Sequence, residues 1–272
     1  MTTVFHPTDL SPASTTAFRH ALRLALEMEA GLTICHVHGP HRKPAAFGEF
    51  PAVRATLSKW GEAADHLPDI RKVEAVGSNV QRVVGEYLAR HPADLVVMAS
   101  HPRTGLAAWL KPSIAQAVFE GSHRPSLIIP DGAAGFVLAD GSMALDSVLL
   151  AMDEEPDPQI GVDTLAGLLR HLDRAPEHLT LLHAGTRPLR HEPVVPDIEG
   201  MATRMLTVSG PPPDAIVKAA ARFDARLIVM TSAGHDSLPD RVFGSTFDHV
   251  LAQADCPVLV LPAPSYAAAA SV

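Results

Sequence analysis

The stretch Val229-Met230-Thr231-Ser232-Ala233-Gly234 carries a short apolar run into a loop, and a second glycine, Gly244, follows after nine intervening residues. A short apolar run that ends in turn signals is typical of a buried strand. A helical pattern through Val250 and Leu251 comes next. The order strand, glycine loop, helix predicts an α/β unit in which backbone N–H groups can approach a ligand closely.

The chain repeats this pattern. The strands at 225–230 and 257–262 have counterparts at 93–98 and 125–130. Two earlier strands also match, the segment at 3–9 with that at 148–153, and 32–37 with 179–184. Four matched segments in one order predict a duplication, and strands that alternate with helices predict parallel sheets. We therefore expect an α/β protein of two tandem Rossmann-like domains, each a five-stranded, mostly parallel sheet flanked by helices.

The repeats place the first domain at residues 1–132, a linker at 133–145 and the second domain at 146–264. The spacing between the copies falls from 147 at His183 to 133 at Gly210, so the second copy lacks 14 residues between its second and third strands. We expect a loop at Gly185–Gly200, where the first copy has a helix at 53–65. The loss predicts an apolar patch beside 205–208, to be covered by that loop, by the linker at 136–138, or by another chain in a homodimer.

Composition restricts the function. The formal net charge is −8, which disfavours nucleic acid as a partner because binding its phosphates needs a basic face. No apolar run approaches the roughly 20 residues of a membrane helix, and no signal peptide is visible. Cys35 and Cys256 each lie in an apolar strand, as expected of buried, reduced thiols. These observations predict a cytoplasmic protein without a membrane or nucleic acid partner.

The loop after the fourth strand resembles that of the universal stress protein family. That family has the pattern G-x-x-G, nine residues, then G-S or G-T, and here Thr231-x-x-Gly234 is followed by Gly244-Ser245. The segments 7–14 and 256–260 also resemble the family, so the resemblance covers nearly the whole chain, twice. It implies the adenine nucleotide alpha hydrolase-like version of the Rossmann-like fold and a role in stress response or regulation.

The resemblance implies an ATP or AMP site, with Mg²⁺ accompanying the nucleotide, mainly in the second domain. Glycines admit backbone N–H groups to phosphate oxygens, and a helix N-terminus favours an anion. The resemblance places Asp153 where it would accept hydrogen bonds from ribose or adenine. The implied site residues are Ala151, Met152, Asp153, Ala184, Met230, Thr231, Gly234, Gly244, Ser245 and Thr246.

The first copy has lost the glycines of this pattern. Ala99, Pro102 and Pro112 stand in their places. Proline has no N–H and a fixed φ, so it cannot donate to a phosphate at either position. Nucleotide binding is therefore expected mainly in the second copy.

Two other functions remain open at this point. Both sites could be vestigial in an interaction or scaffold module, or the altered first site could serve a metal-dependent hydrolase or slow ATPase. Four histidines are expected near one sheet edge and could hold Zn²⁺: His6, His36, His38 and His101. Enzyme signatures of related folds are missing, so catalysis is not the favoured reading. The resemblance also implies an intramolecular pseudo-dimer in which 127–129 pairs with 258–261.

Overall fold

The computed structural model describes residues 2–12, 14–41, 50–62, 69–100, 114–172, 174–232 and 242–262. The chain forms two compact units, Met1–Ala144 and Leu145–Val272.

Unit 1 is a parallel sheet with helices between its strands. The strand order is β3-β2-β1-β4-β5, and every neighbouring pair is parallel. Its elements are β1 (Thr3–Thr8), α1 (Ser14–Glu27), β2 (Gly31–His38), α2 (Val53–Trp60), β3 (Ile70–Val76), α3 (Val80–Arg90), β4 (Leu95–Ser100), α4 (Ile114–Ser122) and β5 (Ser126–Pro130).

Unit 2 repeats this arrangement with one helix fewer among its described residues. The strand order is β8-β7-β6-β9-β10, again parallel at every pairing. Its elements are β6 (Ser147–Met152), α5 (Pro158–His171), β7 (His178–Ala184), β8 (Ala202–Val208), α6 (Pro212–Arg222), β9 (Leu227–Ser232), α7 (Val242–Gln253) and β10 (Val258–Pro262). The predicted arrangement of five parallel strands flanked by helices in each domain is confirmed.

The central strands are buried because helices cover both faces of a parallel sheet. All six residues of β6 are buried, and so are eight residues of α1, at the spacing that the sequence pattern indicates. In each unit the order of the strands reverses beside the first strand. The reversal lies between β1 and β4 in unit 1 and between β6 and β9 in unit 2. Ligands of open α/β sheets bind at the carboxyl ends of strands beside such a reversal.

The predicted loop of unit 2 is confirmed, since residues 185–201, all of them described, contain no helix. The expected apolar patch is not formed as predicted. Thr203 and Thr207, both exposed, share the sheet face of Leu179 and His183, whereas Leu206 and Val208 line a cleft of about 180 Å³ against α6. The half-buried Met205 lies between these two threonines on the same face, so this face exposes little apolar surface.

The loop also covers part of unit 2 with a residue that the sequence pattern does not single out. Leu189 is buried, with 6% of its surface exposed, whereas Val194 is 77% exposed. Unit 2 thus has the buried Leu189 of the loop, and the face of β8 with Thr203 and Thr207, where unit 1 has a helix.

The linker residues 133–144, named the strap here, fold back on unit 1. Nε2 of His20 in α1 accepts hydrogen bonds from Phe136 N at 3.0 Å and Val137 N at 3.1 Å. Trp60 Nε1 donates to Ala139 O at 3.1 Å. Gly135 has a φ of +77°, and a Cβ there would lie 2.2 Å from the His20 ring. The strap is therefore part of the core of unit 1 and not a free connector.

The described part of the chain contains no helix long and apolar enough to span a membrane.

Candidate functional site

The carboxyl edge of the unit 2 sheet brings several predicted site residues together. Ala151 pairs with Met230, and Met152 pairs with His183, whose neighbour Ala184 ends β7. Ala151, Met152 and Met230 are buried. These residues form the apolar floor of the candidate site. Polar contacts with a ligand would come from the residues that follow each strand.

Asp153 follows β6 directly and is open to solvent. Its side chain is 67% exposed. Its Oδ1 accepts a hydrogen bond from Glu154 N at 2.8 Å and lies 3.7 Å from Nδ1 of His183. A carboxylate has about four lone-pair positions, so this one can accept hydrogen bonds from a ligand.

The equivalent carboxylate of unit 1 has a different task. Asp9 Oδ1 accepts hydrogen bonds from Ser11 N at 2.9 Å and from Ser14 Oγ at 2.5 Å, at the start of α1. In unit 2 the corresponding helix begins with its own cap, Asp157, whose Oδ1 accepts from Gln159 N at 2.9 Å. Because Asp157 caps α5, Asp153 is released from this structural role.

Replacing Asp157 with alanine is expected to lower the free energy of unfolding of unit 2 by about 0.5–2 kcal/mol, the usual cost of losing an N-cap. Pro158 at the first helical position keeps the backbone suited to a helix, so the loss comes from the cap itself. Chemical denaturation of the full chain measures it. An unchanged midpoint would mean that another group caps α5.

The residues of the predicted phosphate loop are only partly described. Thr231, which replaces the family's first glycine, is buried in β9, and its Oγ1 lies 3.4 Å from where a Cβ would be at Gly161 of α5. Thr246 is half-buried in α7. Gly244 and Ser245 lie in the first turn of α7, as the backbone shows, and Gly234 lies outside the described residues.

A histidine contact that the sequence reasoning missed occurs in both units. His183 Nδ1 donates to Met152 O at 3.3 Å, and His36 Nδ1 donates to Thr8 O at 2.9 Å. Each imidazole thus joins the end of the second strand to the end of the first. The matched spacing of His36 and His183 in the repeats was the available signal, but its partner is a backbone atom and leaves no trace in the sequence.

The loop that replaces a helix in unit 2 is tied to the same edge. Glu154 Oε1 accepts from Arg190 N at 2.9 Å. The Gln159 side chain donates to Val194 O at 3.1 Å and accepts from Val194 N at 2.8 Å. These contacts hold the loop beside Asp153, so it forms a wall of the candidate site. Nothing in the sequence pattern predicts them.

The predicted histidine edge of unit 1 is only partly described, since His101, like Pro102 and Pro112, lies outside the described residues. Burial lowers the pKa of His6 to about 4, although its hydrogen bond to Val97 O at 2.8 Å acts in the opposite direction. Within the described ranges, no group of three or more His, Cys, Asp or Glu residues is placed to hold a metal ion.

Both cysteines are buried thiols. Burial raises the pKa of Cys35 and of Cys256 to about 12, so neither forms a thiolate near neutral pH. Nucleophilic chemistry at these positions is therefore not supported.

Comparison with known proteins agrees with this architecture. The model of the universal stress protein family matches residues 1–130 and 145–262, which is most of the chain. The chain belongs to the universal stress protein family. A universal stress protein of Methanocaldococcus jannaschii is 28% identical over 135 residues, covering 45% of this chain and 78% of its own.

A solved structure of a universal stress protein shows the same fold, and a second solved relative matches one half of the chain. The first, from Archaeoglobus fulgidus, is 17% identical and covers 96% of both chains, with a TM-score of 0.66. The second, a universal stress protein solved in complex with cAMP, is 23% identical and covers 47% of this chain and 95% of its own, with a TM-score of 0.36.

Proposed function

We propose that unit 2 binds an adenine nucleotide, ATP or AMP, and that the protein acts as a nucleotide-responsive universal stress protein. This proposal rests on the exposure of the Asp153 carboxylate and on its freedom from a capping role. Asp153 stands exposed at the carboxyl end of β6, beside the reversal of the strand order, and Asp157 relieves it of capping α5. Hydrogen bonds from ribose or adenine to Asp153 would fix the nucleoside.

The phosphates would lie at the start of α7. Backbone N–H groups of a first helical turn have no partner within the helix and favour anions. Gly244 and Ser245 belong to that turn, and Gly234 precedes it in the chain. We assign the phosphate contacts to these three residues and Thr246, and Mg²⁺ would enter with the phosphates of ATP. Ala151, Met152, Ala184, Met230 and Thr231 would form the floor.

The test begins with acid extraction of the purified protein and mass spectrometry of whatever is released. Isothermal titration with ATP, AMP and cAMP then compares variants at equivalent positions of the two repeats. Gly244→Val is expected to abolish binding, because its side chain occupies the space that the phosphate needs. Ser245→Ala is expected to weaken binding, whereas Ser113→Ala, the same change in the first repeat, is expected to leave it unaltered.

Two results would contradict the proposal. Binding that is sensitive to Ser113→Ala and indifferent to Gly244→Val would assign the site to unit 1. A protein that neither carries nor binds any of the three nucleotides would instead be an interaction module. The pairing of 127–129 with 258–261 and the homodimer of the whole chain stay predictions.

A further inference from the structure

The carboxyl end of β2 carries two imidazoles on one face. His36 and His38 are two residues apart on a strand, so their side chains point to the same side of the sheet. Their ring centres are 6.4 Å apart and their planes differ by 22°. His38 is buried, with 7% of its surface exposed, and His36 is half-buried. The two rings are therefore close neighbours in a partly dry setting.

Both rings are oriented through the same nitrogen. His36 Nδ1 lies 2.9 Å from Thr8 O, and His38 Nδ1 lies 3.0 Å from Gly39 O. A carbonyl oxygen can only accept a hydrogen bond, so each ring has a proton on Nδ1, and the neutral form of each ring has its lone pair on Nε2. Histidines that bind metal usually donate their other ring N–H to a carboxylate or a backbone carbonyl in this way.

We propose that His36 and His38 together bind one divalent transition-metal ion, such as Zn²⁺, through their Nε2 atoms. The proposal is independent of nucleotide binding in unit 2. Zn–N bonds of about 2.0–2.1 Å would bring the ring centres to roughly 5 Å. The rings must then approach by roughly 1 Å, which small rotations about the side-chain torsions supply.

The neighbouring strands carry charges of both signs near the pair. Glu74 of β3 is exposed and pairs in register with His36, and Asp9 follows the neighbouring strand β1. Lys72 shares the face but holds its Nζ over the Phe50 ring, 5.7 Å from the ring centre. Within the described residues no third protein ligand joins the pair. Water would complete the shell, so the ion would be exchangeable, unlike structural zinc with four protein ligands.

The second repeat provides a control within the same chain. His183 occupies the position of His36, but Gly185 occupies that of His38. The His183 ring lies against Gly185, where a Cβ would meet Nε2 at 2.3 Å. At this position unit 2 therefore has a single imidazole, with its Nε2 close to Gly185, and no pair.

Isothermal titration of the full chain with ZnCl₂ near pH 7.5 tests the proposal. The wild-type protein is expected to bind one equivalent at a site that His36→Gln and His38→Gly each weaken at least tenfold. The His38→Gly change gives the end of β2 the sequence His-x-Gly that unit 2 has at 183–185. His183→Gln, the matched control, is expected to bind zinc like the wild type. Thermal unfolding without metal confirms that each variant is folded.

Unchanged zinc affinity in both His36→Gln and His38→Gly would overturn the proposal, and so would a wild type that binds no zinc. Anomalous scattering from zinc-soaked crystals of the wild-type protein covers the case in which a variant does not fold. A zinc peak between the two Nε2 atoms supports the site, and its absence there overturns it.

Discussion

Alanine in place of Asp153 is expected to weaken AMP binding by roughly ten- to a hundredfold, since hydrogen bonds to a charged group contribute about 1.5–3 kcal/mol. The carboxylate is exposed and Asp157 caps α5, so the free energy of unfolding is expected to change by less than about 0.5 kcal/mol. Isothermal titration measures the first quantity and urea denaturation the second.

Asp9→Ala is the matched control in the first repeat. It removes the acceptor for Ser11 N and Ser14 Oγ at the start of α1. We expect it to lower the free energy of unfolding of unit 1 by about 0.5–2 kcal/mol and to leave nucleotide affinity unchanged. If Asp9→Ala weakens AMP binding, or if Asp153→Ala leaves it intact, the assignment of the site to unit 2 is wrong.

His20→Ala is expected to lower the free energy of unfolding of unit 1 by about 2–5 kcal/mol. The change leaves the N–H groups of Phe136 and Val137 buried without their acceptor, at about 1–3 kcal/mol each. It also removes the ring that packs edge-on against Phe136, 4.6 Å between ring centres. Both tryptophans of the chain, Trp60 and Trp109, precede residue 145. Tryptophan fluorescence in urea therefore monitors unit 1.

His91→Ala provides the comparison for His20→Ala. His20 Nδ1 donates to Thr16 O, four residues back, at 2.8 Å. His91 makes the same type of bond, from Nδ1 to Tyr87 O at 3.3 Å, but its side chain is exposed. A loss below about 1 kcal/mol is expected for this variant. Equal losses in the two variants would show that the strap contributes nothing through His20.

Lowering the pH is expected to weaken the contact between His20 and the strap. Burial lowers the pKa of His20 to about 4, and Arg19 beside it acts in the same direction. The unfolded chain, with an ordinary pKa of about 6.5, therefore binds more protons between pH 6.5 and 4. The contribution of His20 to the free energy of unfolding is therefore complete above pH 6.5 and is lost as the pH falls towards 4. A protonated His20 ring cannot accept hydrogen bonds from the N–H groups of the strap. His20→Ala should therefore reduce the pH dependence of the free energy of unfolding, and the remaining pH dependence is that due to His6.

Sequence patterns predict the fold well because they are local. Short apolar runs with helical segments between them give both sheets, and the 14 missing residues give the loop of unit 2. The prediction of an apolar patch beside β8 was wrong. The sequence does show that Thr203, Met205 and Thr207 alternate with Leu206 and Val208. Reading which residues share a face, in place of counting apolar ones, would have corrected it.

The site was harder to predict because its decisive contacts join distant parts of the chain. Asp9 and Asp153 end equivalent strands, and only the start of the following helix separates their roles. The attachment of Glu154 to Arg190 N involves a backbone atom 36 residues away. The strap shows the same limit: its apolar centre predicts packing, but His20, the residue it packs on, is more than a hundred positions earlier.

The transfer of the capping role to Asp157 has an evolutionary consequence. A residue that supports folding is retained whether or not its site still has a ligand, whereas a residue with no structural task is retained only while the ligand matters. Across relatives of this chain, we therefore expect an aspartate at the position of Asp9 to be retained for a stable helix wherever it holds the helix start. We expect an aspartate at the position of Asp153, wherever a second acid caps the helix, to be retained only for binding.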